Sequence, residues 1–467
     1  MPPRSRRDWL RSSACGFGHT ALVGLLAAEA GGLASAAPLA ARPPHFPPRA
    51  RRVVFLFMHG GISHVDTFDP KPRLEAMHGQ PLPLPKPAFE FAPTGNLLAS
   101  PWRFGRHGRS GLEISELFPC LAARADTLCL IRSMHGGDQV SHGPALLAMN
   151  TGSGVFARPS LGAWTLYGLG SENDNLPGFI SLSPSLYHGG AQNHGSAFLP
   201  ASFQGTRIGD GSTDFKTARL TNLAPALGPE RQRAQLDLLL ERERRFLAAR
   251  GGDDRLEARI QSFETAWRMQ AEAPGVFDIG RETATTLAAY GVDAAPTDEF
   301  ARQCVLARRC LEAGVRFVQV NFSYPRNYWD AHGGLRDNHA GNAARVDRPI
   351  AALLDDLKAR GLLDDTLVVF GTEFGRTPAA QGSDGRDHHP HAFTVWMAGG
   401  GVRGGHAHGR TDDFGYYVEE GKVTMPDFHA TILFLLGLDH ERLTYRHAGR
   451  DHRLTDVSGS VVRGILA

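Results

Sequence analysis

The chain has 467 residues, of which 42% are hydrophobic and 21% charged, and its formal net charge is +2. This is the composition of a globular protein that can bury a sizeable core, in one large α/β domain or in two to three ordinary ones. The balance of basic and acidic residues argues against nucleic acid or an anionic membrane as a partner.

The first 36 residues have the pattern of an export signal. Arg6 and Arg7 precede a weakly apolar stretch, residues 14–33, and small residues at 34–36 form a cleavage pattern. This order is typical of a twin-arginine signal peptide, and a membrane anchor is disfavoured because the apolar run is short and interrupted by Glu29. An ordinary basic N-terminus is the alternative. We expect residues 1–36 to be removed and the mature chain, without a transmembrane segment, to be periplasmic or secreted.

A proline-rich segment, residues 37–51, follows the predicted cleavage point and is typical of a linker. We expect a single domain from residue 52 to residue 467. Removal of residues 1–36 takes away four arginines and two acidic residues, so that 46 basic and 46 acidic residues remain. The mature chain therefore has no excess charge that would attract nucleic acid.

Four of the five cysteines belong to the predicted mature chain, at positions 120, 129, 304 and 310. Their spacing matches no zinc-binding or Cys-x-x-Cys pattern. One or two disulfides are compatible with an exported protein, and buried free thiols are the equal alternative.

Continuous apolar runs predict the strands of a sheet. Continuous rather than alternating polarity is typical of strands that helices cover on both faces. Helical patterns lie between the runs, and this alternation predicts a mostly parallel sheet in a doubly wound α/β fold. The five runs are residues 53–58, 127–131, 315–322, 366–370 and 393–399.

Helices are predicted between these strands and in one insertion. Residues 298–314 and 348–361 have a helical apolar pattern, and each closes on a glycine. The charge-laced stretch 223–269 predicts a hairpin of amphipathic helices that breaks at a Gly-Gly pair. We expect this helical insertion, about residues 223–312, to be a structural cover or a lid.

The histidines are unevenly distributed along the chain. All 21 lie outside residues 195–331. Ligands of parallel α/β sheets bind at the carboxyl ends of strands, so histidines near strand ends favour one common site. Those near predicted strand ends are His59, His135, His142, His332, His339, His388, His389 and His391.

A carboxylate follows the first predicted strand. The strand ends at His59, a Gly-Gly pair allows a tight turn, and Asp66 and Asp69 come soon after. Asp66 is therefore a candidate hard metal ligand. A turn or helix-capping role is the alternative, because aspartate is common in turns.

Ser141 and His142 begin a predicted helix that ends at Thr151-Gly152. A helix N-terminus favours anions and activates nucleophiles placed there, and it is expected to keep the His142 ring neutral near pH 7. The alternative is that Ser141 only caps the helix.

Two further stretches follow predicted strands and contain metal-binding residue types. Asp330 and His332 follow the strand 315–322 and provide mixed oxygen and nitrogen ligands suited to Zn²⁺, Mn²⁺ or iron. A solvated loop is the alternative reading of this stretch.

The second stretch links the last two predicted strands. Glu373 follows the strand 366–370, and Asp387-His388 precedes the last strand. These carboxylates and the histidine could hold a cation, and Arg376 or Arg386 could clamp a tetrahedral anion through two hydrogen bonds. Surface ion pairs are the alternative.

Taken in order, six segments of the chain resemble an exported family numbered 1501 among the domains of unknown function. The resemblance covers essentially all of residues 52–467. The segments are HGGISHVDTFDPKP (59–72), SHGPALLAMNTG (141–152), WDAHGG (329–334), TEFGRTP (372–378), GRDHHPHAFTVWMAGGGVRGG (385–405) and DFHATILFLLGL (427–438).

This resemblance implies the α/β/α sandwich of the alkaline phosphatase/sulfatase superfamily, with one or two divalent metals (Zn, Mn, Ca or Mg) beside a nucleophile. The nucleophile position falls on His142, where the superfamily has Cys, Ser or Thr, and Ser141 is the fallback. With the residues reasoned above, the expected metal ligands are Asp66, Asp330, His332, Glu373, Asp387 and His388.

The leading functional hypothesis is an exported metal-dependent hydrolase of sulfate or phosphate esters, acting on a small-molecule or glycan ester. One alternative is a catalytically lapsed sulfatase-like protein that binds sulfated glycans or an envelope partner. Another is a metal-binding structural protein of the cell envelope. Metal content and ester turnover together distinguish the three.

Overall fold

The structure of the protein is a computed structural model, which describes residues 39–85, 93–218, 228–250 and 254–467. The predicted signal peptide, residues 1–36, lies outside these residues. Within them the helices are α1 His64–Thr67, α2 Pro72–Ala76, α3 Pro119–Ala122, α4 His142–Thr151, α5 Leu161–Leu169, α6 Pro229–Arg250, α7 Asp254–Phe277, α8 Ala284–Tyr290, α9 Asp298–Glu312, α10 Leu335–Ala359 and α11 Met425–Leu435.

The strands in the same part of the chain are β1 Arg52–Met58, β2 Phe104–His107, β3 Leu112–Ser115, β4 Leu128–His135, β5 Phe179–Leu182, β6 Thr206–Ile208, β7 Phe317–Phe322, β8 Thr366–Gly371, β9 Gly375–Gln381, β10 Gly385–His389, β11 Phe393–Ala398, β12 His406–His408, β13 Arg410–Thr411, β14 Val418–Glu420, β15 Val423–Thr424, β16 Tyr445–His447 and β17 Arg450–His452.

The central sheet is mostly parallel, as the apolar runs predict. Its strand order is β12-β4-β11-β8-β1-β7-β5-β6, with β15 also paired to β4. Val54 of β1 pairs with Val318 of β7 on one side and with Val368 of β8 on the other, both in parallel register. β11 is antiparallel to both of its neighbours. All five predicted strands are confirmed, whereas the short strands β5 and β6 were not predicted.

The two faces of the sheet are buried in separate cores. Alternate side chains of a strand point to opposite faces, so Val54 and Leu56 of β1 belong to one core and Val53 and Phe55 to the other. Residues of α9 and α10 fill the first core, and residues of α4, α5 and α11 fill the second. Helices therefore cover both faces, which confirms the predicted α/β/α sandwich.

The long helices agree with the predictions except at one boundary. α9 lies where it was expected, but α10 begins at Leu335, thirteen residues before the predicted start at 348. The first half of α10 is polar, and Pro349 resembles a helix start because proline is preferred in a first turn. In the structure Pro349 lies inside the helix.

The helical insertion forms a charge-laced hairpin of α6 and α7. Arg233 of α6 contacts Glu264 of α7 at 3.1 Å between Nη1 and Oε2. The predicted break at Gly251-Gly252 lies outside the described residues. Of the described residues of this hairpin, none belongs to the groups of histidines and carboxylates that could hold a metal ion.

The segment before β1 lies against the domain over the part that the structure describes. The backbone N–H of Arg42 donates to the carbonyl of Leu169 at 2.9 Å, and those of Arg49 and Ala50 donate to the carbonyl of Leu435 at 2.8 and 2.9 Å. These bonds tie the segment to the C-terminal ends of α5 and α11.

The cysteines at positions 120, 129, 304 and 310 are free thiols, so within the described residues the disulfide alternative is not observed. Among the same residues, no helix combines the length and the apolar character that a membrane crossing needs.

Candidate active site

Histidines and carboxylates gather at the carboxyl ends of the central strands. His59 directly follows β1, and Glu373 follows β8 by two residues. Asp330 lies in the loop after β7. Since these three strands are adjacent and parallel, their carboxyl ends meet at one edge of the sheet. The edge at which the sequence predicts a site is therefore the edge where these side chains meet.

A Gly-Gly turn brings the loop after β7 against the end of β1. Gly60 and Gly61 have φ values of +116° and +79°. A Cβ atom on Gly60 would lie 2.4 Å from the backbone nitrogen of Trp329. Any side chain at Gly60 would push Trp329, and with it Asp330, away from the strand end, so this glycine is required by both conformation and space.

Three potential ligand atoms converge at this edge, one of them from Asp330 and two from histidines. The Nε2 atoms of His332 and His388 are 3.0 Å apart, and they lie 3.1 and 3.2 Å from Asp330 Oδ1. Metal–ligand bonds of about 2.0–2.2 Å place neighbouring ligand atoms roughly 3.0–3.5 Å apart. The spacing of the three atoms therefore suits a divalent cation.

The other ring nitrogens of the two histidines show which atoms carry protons. His388 Nδ1 donates to the carbonyl of Val140 at 2.7 Å, and His332 Nδ1 donates to Gln381 Oε1. In the neutral rings both Nε2 atoms are then lone-pair acceptors directed at a carboxylate oxygen. Three acceptors that face one another repel, and a cation between them would stabilise the arrangement. Metal-binding histidines are commonly oriented in this way, by a hydrogen bond from the ring nitrogen that does not bind the metal.

Asp387 lies at the edge of this group. Its Oδ1 is 3.8 Å from His332 Nδ1, and His332, Asp387 and His388 form one set of side chains close enough to hold an ion. A second such set is His142, Asp330 and His388. The predicted ligands Asp330, His332, Asp387 and His388 are thus brought together by the fold.

Arg376 holds Asp330 from inside the protein. Its side chain is fully buried and donates to the carbonyls of Gly60, Gly61 and Arg386 as well as to Asp330 Oδ1, the last at 2.6 Å. Burial opposes ionisation of Asp330, but the neighbouring rings of His142, His332 and His388, when protonated in the cation-free site, and the Arg376 guanidinium charge hold the pKa of this carboxyl far below its usual range. Arg376 therefore positions Asp330, and it does not extend into the open site as an anion clamp would.

Glu373 orients His142. Its Oε1 lies 2.7 Å from His142 Nδ1 and also accepts from the backbone N–H of Gly60 at 2.8 Å, while its Oε2 accepts from Thr372 at 3.1 Å. Burial opposes ionisation of Glu373, yet the hydrogen bond and charge of His142 lower its pKa to about 2. An ionised, fully bonded carboxylate thus fixes one nitrogen of the imidazole.

The other nitrogen of His142 faces the predicted metal ligands. His142 Nε2 lies 3.3 Å from Asp330 Oδ2. Burial favours the neutral ring, but Asp330 and Glu373 outweigh it and raise the pKa of His142 to about 9. The expectation that the helix N-terminus keeps this ring neutral near pH 7 is therefore wrong for the cation-free site, because two carboxylates have the larger effect.

His188 also reaches the site, and no sequence argument identified it. Its Nδ1 lies 3.0 Å from His59 Nε2, and its ring stacks on His142 with centroids 5.2 Å apart. The strand that precedes it, β5, has four residues and did not stand out. A sequence signal exists nonetheless, because His-Gly-Gly occurs at residues 59, 135, 188 and 332, and three of these four histidines belong to the site.

Two predicted site residues lie apart from this group. Asp66 is fully buried and pairs with Arg386 at 2.7 Å (Oδ2 to Nε) and 3.1 Å (Oδ1 to Nη2). Both Asp66 oxygens are thus engaged with an arginine and not with the metal-binding set. Ser141 is exposed at the start of α4 and makes no capping bond with its side chain.

A family model described as "Protein of unknown function (DUF1501)" matches residues 50–466. Comparison with curated proteins finds no match.

Similar solved structures include a lipoteichoic acid synthase, LtaP, from Listeria monocytogenes, with 8% identity, 92% of this chain and 80% of that chain covered, and a TM-score of 0.37. The sulfatase PsFucS1 from Pseudoalteromonas sp. has 14% identity, coverages of 90% and 72%, and a TM-score of 0.36. An alkaline phosphatase from the Antarctic bacterium TAB5 has 9% identity, coverages of 84% and 99%, and a TM-score of 0.34. Similarity at this level carries no argument about activity.

Proposed function

The chain belongs to the DUF1501 family of proteins of unknown function, and we propose that it is an exported, metal-dependent hydrolase of sulfate or phosphate esters. The observation that carries this proposal is the convergence of Asp330, His332 and His388 next to an imidazole that a buried glutamate orients. A cation site and an activated nitrogen at the same strand ends are the parts that metal-dependent ester hydrolysis uses.

The metal would be held by Asp330, His332 and His388, with Asp387 as a further ligand within reach. When bound, a divalent cation polarises the oxygens of an ester and offsets the negative charge that develops on them. The ligand set of one or two carboxylates and two imidazoles suits Zn²⁺ or Mn²⁺ better than Ca²⁺, which prefers oxygen ligands.

His142 would act through Nε2. Glu373 accepts the proton of Nδ1, so the neutral ring keeps its lone pair on Nε2, the atom on the side of Asp330. This lone pair can attack the phosphorus or sulfur while the bond to the ester oxygen breaks and the alcohol leaves, after which water cleaves the new N–P or N–S bond. Alternatively it can take the proton of a water that attacks the ester directly. A cation bound at Asp330 and His388 would favour the neutral ring, because like charges repel.

The opening of the site suits an anionic group on a larger molecule. The side chain of His332 is 38% exposed and that of Asp330 23%, whereas Glu373 is fully buried. Substrate would therefore enter from the side of His332 with Glu373 at the back. The size of the alcohol portion is not restricted by these contacts, and both small-molecule and glycan esters fit the proposal.

The test combines metal analysis with turnover. Purified mature protein would be assayed by inductively coupled plasma mass spectrometry, and with 4-nitrophenyl sulfate and 4-nitrophenyl phosphate before chelation, after chelation and after metal is restored. We expect bound divalent metal and turnover that chelation removes and metal restores. Metal without turnover of either ester class would instead support the lapsed, glycan-binding alternative, and absence of metal would overturn the proposal.

A further inference from the structure

Hydrogen bonds around His59 and His188 determine which ring nitrogen of His188 carries the proton. The backbone N–H of Tyr324 donates to His59 Nδ1 at 3.3 Å. In the neutral ring of His59 the proton is then on Nε2, and this N–H donates to His188 Nδ1 at 3.0 Å. Because His188 Nδ1 is an acceptor, the neutral ring of His188 must carry its own proton on Nε2.

The Nε2–H of His188 is available for a ligand. No hydrogen-bond partner of this atom occurs within the described residues, and the side chain is only partly buried. The ring stacks on His142 at 29° with centroids 5.2 Å apart, and its other neighbours are His59 and Tyr324. Within the described residues this donor therefore has no partner, and it belongs to a ring that stacks on the imidazole proposed to react.

The backbone conformation and the packing of the loop around His188 fix the position of its ring. His188 has a φ of +53°, a left-handed conformation that is unfavourable for a residue with a side chain, and Gly189 and Gly190 follow with φ of +96° and +50°. The amide of Asn193 donates to the carbonyl of His188 at 3.1 Å. A Cβ atom on Gly189 would lie 2.9 Å from Leu147 of α4, so the loop packs closely on the helix that begins at His142.

We propose that His188 is a substrate-binding residue whose uncharged Nε2–H donates to an oxygen of the tetrahedral anion, while His59 fixes its proton arrangement. This inference rests on the proposed ester substrate for its ligand class, a sulfate or phosphate group. A neutral donor suits this place, because a further positive charge would repel a cation bound at Asp330.

The donor role can be separated from packing by two substitutions. His188→Phe keeps a ring of similar size but has no N–H, whereas His188→Gln places an amide donor near the original Nε2. His447→Phe, at an exposed histidine of the β16–β17 hairpin, is the matched control. The readouts are the affinity of the metal-loaded protein for inorganic phosphate and sulfate by calorimetry, kcat and KM on the 4-nitrophenyl esters, and metal content.

We expect His188→Phe to weaken phosphate or sulfate binding about 10-fold or more, as for a lost hydrogen bond to a charged group, with metal content unchanged. His188→Gln should recover most of this affinity, and His447→Phe should match wild type. Equal losses in His188→Phe and His188→Gln would overturn the donor role, as would metal loss in His188→Phe or the absence of any anion binding by the wild type.

The outcomes also separate this inference from the proposed function. Anion binding that depends on His188 without turnover of either ester would leave the inference standing and refute the hydrolase. Turnover and anion affinity that are both unchanged in His188→Phe would refute the inference and leave the hydrolase standing.

Discussion

Glu373 Oε1 lies 2.7 Å from His142 Nδ1, although 231 residues separate the two in sequence. The contact joins the end of β8, in the middle of the sheet, to the first turn of α4, on one of its faces. The same carboxylate oxygen accepts from the backbone of Gly60 at the end of β1. One buried carboxylate thus fixes the relative positions of a strand end, a turn and the imidazole proposed to react.

Loss of this contact is expected to reduce catalysis without removing the metal. In Glu373→Gln the amide cannot take the same role toward His142 Nδ1–H as the carboxylate, so we expect kcat on the better 4-nitrophenyl ester to fall roughly 10²-fold or more. His142→Ala should abolish turnover, whereas Ser141→Ala should have much less effect. Steady-state kinetics and metal analysis of the three variants check this, and full activity in His142→Ala would refute the catalytic role of that residue.

Metal binding is expected to depend on the histidines whose Nε2 atoms face Asp330. Alanine in place of His332 or His388 removes one of three converging ligand atoms, and we expect bound metal to fall about 10-fold or more after dialysis. His447→Ala, an exposed histidine elsewhere, is the control. Metal content equal to wild type in both His332→Ala and His388→Ala would contradict the site.

Asp66 is expected to matter for stability and not for metal content. Asp66→Ala leaves the charge of Arg386 fully buried without its partner, and removal of one member of a buried ion pair costs about 3–5 kcal/mol in the free energy of unfolding. Asp413→Ala is the matched control, because the Arg73–Asp413 pair is 60% and 63% exposed and its loss should cost roughly 0.5 kcal/mol or less. Urea unfolding measures both, and metal loss from folded Asp66→Ala protein would restore Asp66 as a ligand.

The buried His429 is expected to lower the stability of the protein in mild acid. It is fully buried, and burial lowers its pKa to about 4, although its bond to the carbonyl of Met149 raises the pKa somewhat. The unfolded chain therefore binds this proton first, below its ordinary pKa of about 6.5. The contribution of neutral His429 to the free energy of unfolding is fully present above about pH 6.5 and decreases as the pH falls toward about 4. Between pH 7 and pH 5 the decrease is about 2 kcal/mol.

The variant His429→Gln removes the titrating group and keeps an amide donor for Met149. The drop in unfolding free energy from pH 7 to pH 5 should therefore be about 2 kcal/mol smaller in His429→Gln than in wild type. The exposed His447→Gln should show the wild-type drop. An unchanged difference between the two pH values in His429→Gln would show that this histidine does not contribute to acid sensitivity.

Export by the twin-arginine route is proposed from Arg6 and Arg7. Changing both to Lys should leave full-length precursor in the cytoplasm, whereas the same change at Arg4 and Arg11, outside the pair, should allow normal processing. Cell fractionation followed by immunoblotting distinguishes precursor from mature protein. Mature protein outside the cytoplasm in the Arg6, Arg7 variant would refute the route.

The fold was predictable because its strands are continuous apolar runs, a local pattern that burial on both faces imposes. Asp330, His332 and Glu373 were predictable as a group, since parallel strands place their carboxyl ends together. His388 precedes β11, and because β11 is antiparallel to β8 its start lies at the same edge of the sheet. The ion pair of Asp66 with Arg386 could not be predicted. The two residues are 320 positions apart, and either a metal cation or a guanidinium can neutralise a carboxylate.

His188 was missed for a different reason. Its place in the site depends on the four-residue strand β5 and on a left-handed backbone at His188 itself. A run of four residues, three of them apolar, is too short to distinguish a strand from a loop, and no local rule predicts a positive φ at histidine.

The strand order has a consequence for when the protein could acquire the proposed cation. β1 is synthesised first, but its neighbours in the sheet are β7 and β8, so Phe57 remains unpaired until Asn321 and Gly371 have left the ribosome. The ligand set is complete only with His388, later still. We therefore expect nascent chains to lack the complete ligand set until His388 has emerged. We therefore expect the first cation of the proposed site to be bound by the finished chain, which under the proposed twin-arginine route is still in the cytoplasm.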